Sequence, residues 1–436
     1  MSRFRHHEQV RQFLNEVCKP VQAKAAHRDI KLELESHLAD KIDEYLAAGV
    51  EQAVAIDKAI LDMGSAVDIG NQLHKVHKPR IEWSLLGFIA LFVALGMLAM
   101  YAVELADPNR TNGTFLSKVV YSGIGVCVML ALRLWDYRKL LPFSWHFYRL
   151  TLLVMGWVLL FGQQVNGAPF LRIGSTTINF LSASPYLLIV FLAGIMMSKW
   201  KQQHFLVKLA MYVVIPFLLY QKGHANASMF IYTAGFVVLL FSIRKGNKQF
   251  LGYGLASFVV LNLLDVWSSP HKIERLRSFL NPYSDPMDSG YTIVQSLEAI
   301  QAGGWWGQGF AVSRQALPGI QNEMLFSYMI YSLGWVTGIV LWFISLLFLI
   351  RLAGTARRVK EPYGKLIVKG LLAVFAIQFV WSMLMPLGIL PFFSLSLPFI
   401  SHGGTLTLIQ MAAVGIILGV YRQKDIARFP ENLEIS

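Results

Sequence analysis

Residues 268–322 read SSPHKIERLRSFLNPYSDPMDSGYTIVQSLEAIQAGGWWGQGFAVSRQALPGIQN. The stretch is polar, and hydrophobic runs lie on both sides of it. A connection this long among apolar helices is usually functional or disordered. Disorder does not suit it, because Phe279, Leu280, Tyr291, Ile293, Leu297, Trp305, Trp306 and Phe310 give it apolar surface to bury. It also gathers Arg275, Arg277, Asp285, Asp288 and Glu298, together with Pro282, Pro286 and the Gly303-Gly304 pair. The hydrophobic helices read as the holder and this loop as the carrier of chemistry.

The remainder of the chain fits that reading. Of 436 residues 55% are hydrophobic and 15% charged, whereas soluble domains carry about 25% charge. Apolar runs long enough to cross a bilayer recur. The expected fold is all-α: a polytopic membrane protein with ten spans, at about 83–104, 117–134, 145–163, 181–199, 205–220, 227–243, 249–266, 323–350, 365–388 and 403–421. The net charge of +13 does not argue for nucleic acid, since most Lys and Arg sit in short connections on one side. Lys75, Lys78, Arg80; Arg133, Arg138, Lys139; Arg244, Lys245, Lys248; Arg351, Arg357, Arg358; and Arg422, Lys424, Arg428 share that side, while the opposite one holds little beyond Arg110, Lys118, Arg172 and Lys222. The positive-inside rule then places both termini in the cytoplasm and residues 268–322 outside, between spans seven and eight. Cys18 and Cys127 form neither a disulfide framework nor a metal site. No cleavable signal peptide is visible, and no nucleotide-binding loop.

Three parts follow: a cytosolic helical prefix over 1–80, a membrane domain over 81–428, and a cytosolic tail over 429–436. In the prefix, Ile30, Leu34, Leu38, Ile42 and Tyr45 recur at helical spacing over His27–Ala48, and Gly49 stops the run. Helices are also expected near Glu8–Val17, over Glu51–Met63, and from Ser65, as N-cap, to about Val76. His37 reads as a partly buried helix-face residue.

Within the loop, Asp285 sits in NPYSDP, where two prolines limit the backbone. A carboxylate so placed is a candidate general base or metal anchor, and an aspartate in a tight turn is the bland alternative. Arg275 and Arg277 suit phosphate oxygens. Gly303, Gly304, Gly307 and Gly309 permit close backbone approach to a ligand, or merely turn the chain. Trp305 and Trp306 seat the loop at the interface rather than a sugar. Asp265 is expected to pair with Lys272.

The loop resembles that of the SEDS family, the FtsW/RodA/SpoVE cell-division and shape proteins. The matched residues are Arg275, Phe279, Asn281, Pro282, Asp285, Pro286, Gly290, Tyr291, Gln295, Ser296, Ala299, Ile300, Gly303, Gly307 and Gly309. A second signature matches over Gly388–Pro391 and Leu397–Thr405, including Ser401, His402 and Gly403. The resemblance covers about residues 83–425 and leaves out the prefix. It implies ten spans and a peptidoglycan glycosyltransferase that polymerises lipid-linked disaccharide-pentapeptide outside the plasma membrane. It also implies Asp285 as the residue on which activity depends, a class B penicillin-binding protein as partner, and arginines or a divalent cation steadying the pyrophosphate. Substrate contacts would come from Arg275, Arg277, Tyr291, Gln295, Ser296, Glu323, Ser401, His402 and Gly403. The chain departs from the family in places. Gln321-Asn322-Glu323 stands for His-Thr-Asp, Leu181, Ser182 and Pro185 for Ser, Glu and Lys, Gln221-Lys222-Gly223-His224 for a Gln-Pro-Asp pattern, and His402 for a tyrosine. Those departures keep open a non-catalytic scaffold or regulator and, behind it, a precursor transporter with Lys369 and Arg149 as its charges.

Overall fold

The computed structural model describes residues 7–21, 27–77, 82–165, 167–174, 176–200, 202–243, 248–267 and 270–424. It divides into two compact units. One takes in Met1–Ile81 with Arg358–Glu361 and Tyr421–Ser436, the other Glu82–Arg357 with Pro362–Val420.

The first unit holds α1 (Glu8–Cys18), α2 (His27–Ala47), α3 (Gln52–Met63) and α4 (Ala66–His77). Val10, Phe13, Leu14 and Val17 of α1 meet Ile30, Leu38 and Ile42 of α2 and Ala55, Ile56 and Ala59 of α3 in one core. The expected α4 N-cap is present, with Ser65 Oγ accepting from the Asp68 amide at 3.3 Å. His37 is exposed rather than partly buried, because α2 turns Leu38 inward beside it.

The second unit is the membrane domain. Its helices are α5 (Trp83–Ala106), α6 (Thr114–Leu134), α7 (Ser144–Phe161), α8 (Phe180–Ser198), α9 (Phe205–Lys222), α10 (Asn226–Ser242), α11 (Lys248–Trp267), α12 (Pro270–Leu280), α13 (Tyr291–Gly303), α14 (Leu325–Leu333), α15 (Trp335–Arg358), α16 (Pro362–Leu384) and α17 (Gly404–Arg422). Eight of them, α5 to α9 and α15 to α17, are long and apolar enough to cross a membrane, and α10 and α11 contain shorter apolar helices. A span of about 20 residues rises about 30 Å, the thickness of the hydrocarbon layer. The chain is a multi-pass membrane protein. The inner helices are α8, α16 and α17; α6, α9 and α15 expose more of their surface. α8 packs on α7, α10 and α16.

Prolines inside two spans free backbone carbonyls that the bilayer cannot satisfy. Pro185 leaves Leu181 O, which accepts from Ser184 Oγ at 2.8 Å. Pro216 follows a π turn over Ala210–Val214. There Tyr232 Oη donates to Tyr212 O at 2.9 Å and Tyr148 Oη to Met211 O at 3.2 Å. The buried tyrosines of this region are explained by that repair.

Two expectations change. The eighth span is not one helix over 323–350: it breaks at Gly334, and only α15 is a crossing helix. The fold is all-α as expected, with one small antiparallel meander of β1 (Gln163–Val165), β2 (Ala168–Ile173) and β3 (Thr176–Ile178) between α7 and α8. The long loop is itself built of helices, α12 and α13. Lys272 donates to Gln221 Oε1 at 3.1 Å; the Asp265 side chain, Ser268 and Ser269 lie outside the described residues.

Candidate functional site

Asp285 lies at the tip between α12 and α13. Pro282–Ser284 make one 3-10 turn, and the Gly290 amide closes on Asp285 O at 3.0 Å. A Cβ at Gly290 would stand 2.2 Å from Pro282 O, so only glycine lets the turn close. The Asp285 carboxylate is half-buried and accepts from the Ser289 amide at 3.3 Å and Ser289 Oγ at 3.1 Å. Ser289 Oγ in turn meets the buried Ser278 hydroxyl of α12. One carboxylate oxygen, Oδ2, is therefore fixed by a serine relay. Arg275 and Arg277 of α12 are exposed, and neither is a hydrogen-bond partner of Asp285.

α13 ties this tip to the rest of the loop end. Tyr291 Oη donates to Ala316 O at 2.8 Å, and Gln295 Nε2 to Glu298 at 3.2 Å. Ser296 is fully buried; its hydroxyl meets Ser327 Oγ and donates to Pro386 O, each at 2.6 Å. These bonds hold the chain to itself. The loop glycines likewise meet backbone: a Cβ at Gly303 would lie 2.3 Å from Ile330 O, and one at Gly307 2.2 Å from Ser332 O. Trp305 and Trp306 are largely exposed.

The second signature forms a turn before α17. Ser401 is buried, accepting from the Leu397 amide at 3.0 Å and donating to Asn322 O at 3.1 Å. The His402 amide donates to Gln321 O at 2.8 Å. The signature turn and residues 321–323 are thus one assembly. Burial, then the Lys118 charge, hold the His402 imidazole below its usual pKa, and its Nδ1 is buried without a partner. Gly403 adopts φ +147°, next to it. Burial raises the Glu323 carboxyl above the ordinary range, while its own backbone amide and the Ser394 hydroxyl pull it partly back. Beside this assembly lies a cavity of about 150 Å³ of mixed lining, with Asp107, Arg314 and Gln321 beside Leu317, Pro318 and Ile320.

Two things were not visible in the residue string. Lys118, expected among outer-loop charges, is buried at 2% exposure inside the bundle. Gln378 and Gln410 are buried in spanning helices, with Gln410 Oε1 accepting from the Phe399 amide at 2.9 Å. The only sequence signal for either was a polar residue within an apolar run. Among the described residues no three His, Cys, Asp or Glu side chains converge as a metal cage.

The family model described as "Cell cycle protein" (FTSW_RODA_SPOVE) matches residues 82–426. The chain is similar to the stage V sporulation protein E of Bacillus subtilis (strain 168), with 28% identity over 354 residues, 76% of this chain and 94% of that protein. It is 26% identical over 369 residues to the probable peptidoglycan glycosyltransferase FtsW of Nitrosomonas europaea, covering 79% of this chain and 93% of that one. Of solved structures, one described as "Structural coordination of polymerization and crosslinking by a peptidoglycan synthase complex" aligns with a TM-score of 0.63 at 24% identity, over 79% of this chain and 98% of the other. The rod shape determining protein RodA of Thermus thermophilus aligns at 0.56 with 19% identity, over 79% of this chain and 97% of that chain. At those identities the two structures speak for the fold.

Proposed function

Because this chain belongs to the FtsW/RodA/SpoVE family, we propose that it is a peptidoglycan glycosyltransferase acting on a lipid-linked disaccharide-pentapeptide. The observation that carries the reading is Asp285, a half-buried carboxylate fixed through Ser289 and Ser278 at the tip of a Pro- and Gly-closed turn. As general base it takes the proton of the acceptor sugar hydroxyl. The hydroxyl oxygen forms a bond to the anomeric carbon of the donor, and the bond to the undecaprenyl pyrophosphate breaks. Arg275 and Arg277, exposed on α12, close on the departing pyrophosphate. A divalent cation at Asp285 would take most of its ligands from phosphate and water, since the protein donors beside it are too few. Energy comes from the activated donor, so no nucleotide is needed. Tyr291, Gln295, Glu323, His402 and Gly403 flank the path of the glycan, with Ser296 and Ser401 fixing the backbone beneath them.

The loop faces outside and both termini lie in the cytoplasm, as the distribution of Lys and Arg supports. The alignment with a peptidoglycan synthase complex supports a class B penicillin-binding protein as partner, cross-linking the strands made here.

The test is polymer formation from fluorescent lipid-linked precursor by the purified chain, alone and with class B penicillin-binding proteins. Wild type is expected to make strands, and Asp285→Ala to lose about a hundredfold or more of the rate, the usual weight of a general base. Strands from both proteins at equal rates would remove Asp285 from the mechanism.

One observation favours a second reading, a scaffold of a wall-synthesis complex. Leu181 and Pro185 are buried in α8 where the resemblance expects polar and charged groups. A folded wild type that makes no strands beside an active family member would select it.

A further inference from the structure

Lys118 has no place in the reaction as drawn, yet it is a lysine side chain buried within a membrane bundle. Such a group persists only where specific partners hold it. No carboxylate is among them. Its Nζ donates to Phe399 O at 2.6 Å, Ser401 O at 2.9 Å and Thr407 Oγ1 at 3.4 Å. An ammonium has three donors and no acceptor, which matches three converging oxygens; no neutral side chain offers that set.

What it grips is unusual. Phe399 lies at φ +63°, left-handed backbone that a bulky residue rarely adopts. Its amide is held from α17 by Gln410, its carbonyl from α6 by Lys118, and its ring stacks on Phe375 at 5.4 Å. Gly96 of α5 makes the room: a Cβ there would stand 2.9 Å from both Lys118 Cε and Ile400 O. From this clamped peptide the chain runs straight into Ser401 and His402, which hold residues 321–322 next to Glu323.

We propose that Lys118 is a positioning residue of the glycosyl-transfer site: its ammonium clamps the strained Phe399–Ser401 backbone and so sets His402 and the 321–323 segment in place. The assignment to glycosyl transfer rests on the function proposed above; the clamp itself does not.

The experiment uses the full chain in lipid nanodiscs, comparing wild type, Lys118→Met and Thr407→Val. Methionine keeps the length of the side chain but donates nothing. The expected result for Lys118→Met is a kcat lower by about tenfold or more, as misplacement by a fraction of an ångström produces. KM stays near wild type and the melting temperature within a few degrees. Amide exchange rises over 395–403 and 320–324 and stays unchanged over α8. Thr407→Val, which leaves both carbonyl bonds, shows the same pattern more weakly. A wild-type kcat and exchange pattern in Lys118→Met overturns the proposal, as does exchange rising throughout the bundle, which would mean Lys118 only supports the fold. Should wild type itself make no strands, the proposed function fails, and the exchange pattern alone decides the clamp: selective loosening supports it and no change overturns it.

Discussion

His402 shows what one residue's surroundings do to its chemistry. It stands where the family resemblance expects a tyrosine, within the field of the buried Lys118. Burial and that charge favour the neutral ring, so its folded pKa lies below its unfolded value of about 6.5. On acidification the unfolded chain takes up this proton first. Stability is therefore whole above that value and lost as pH falls through the window beneath it. Glu323 works in the opposite sense, because its raised carboxyl makes the folded state hold a proton longer; stability from it is lost as pH rises through its folded pKa. The single variant separates them. Between about pH 7.5 and 5.5 the melting temperature of His402→Gln should fall less than that of wild type. Equal falls would show that the imidazole is not the group being read.

At the scale of elements, the loop that reads as irregular is two helices and an interlock. Ile293, Val294, Leu297 and Ile300 follow helical spacing in α13, a signal that the reading of 268–322 as a loop passed over. The end of that helix has no such local signal. The α13 and α14 C-termini join backbone to backbone: Gln308 N donates to Tyr331 O at 2.9 Å, Gly309 N to Ser332 O at 3.0 Å, and Trp335 N to Gly304 O at 2.9 Å. Glycines that the sequence offers to a ligand are used by this pairing. Gly334 bears it most tightly, at φ +84° with a would-be Cβ 2.1 Å from Trp305 O. Gly334→Ala should cost about 1–3 kcal/mol or more, from positive φ in a residue with a Cβ and from the clash. Chemical denaturation in detergent would measure it, and a midpoint equal to wild type would mean the two helix ends are not locked together.

At the scale of the molecule, charge decides orientation and packing decides the site. With Cys127 replaced, a cysteine at exposed Ser284 should react with an impermeant maleimide on intact cells, and one at exposed Ser36 only after lysis. The reverse pattern would invert the topology and take Asp285 to the wrong face for an extracytoplasmic substrate. Most of the spans and the NPYSDP turn could be read from the residues, because a bilayer demands about 20 apolar residues per crossing and proline and glycine punctuate locally; the count of ten could not, since eight helices among the described residues are long and apolar enough to cross. The turn around Asp285 was legible for the same local reason: its partners Ser289 and Gly290 lie within five positions of it. Lys118 was not, since it bonds a carbonyl 281 residues away. Neither periodicity nor composition records which distant backbone oxygen a long side chain will find. The string of residues determined that this chain crosses the membrane and that a long polar connection separates two groups of spans. Only tertiary packing decided which polar groups hold that loop, because in a bilayer every buried donor must meet an acceptor, and the folded bundle alone brings them together.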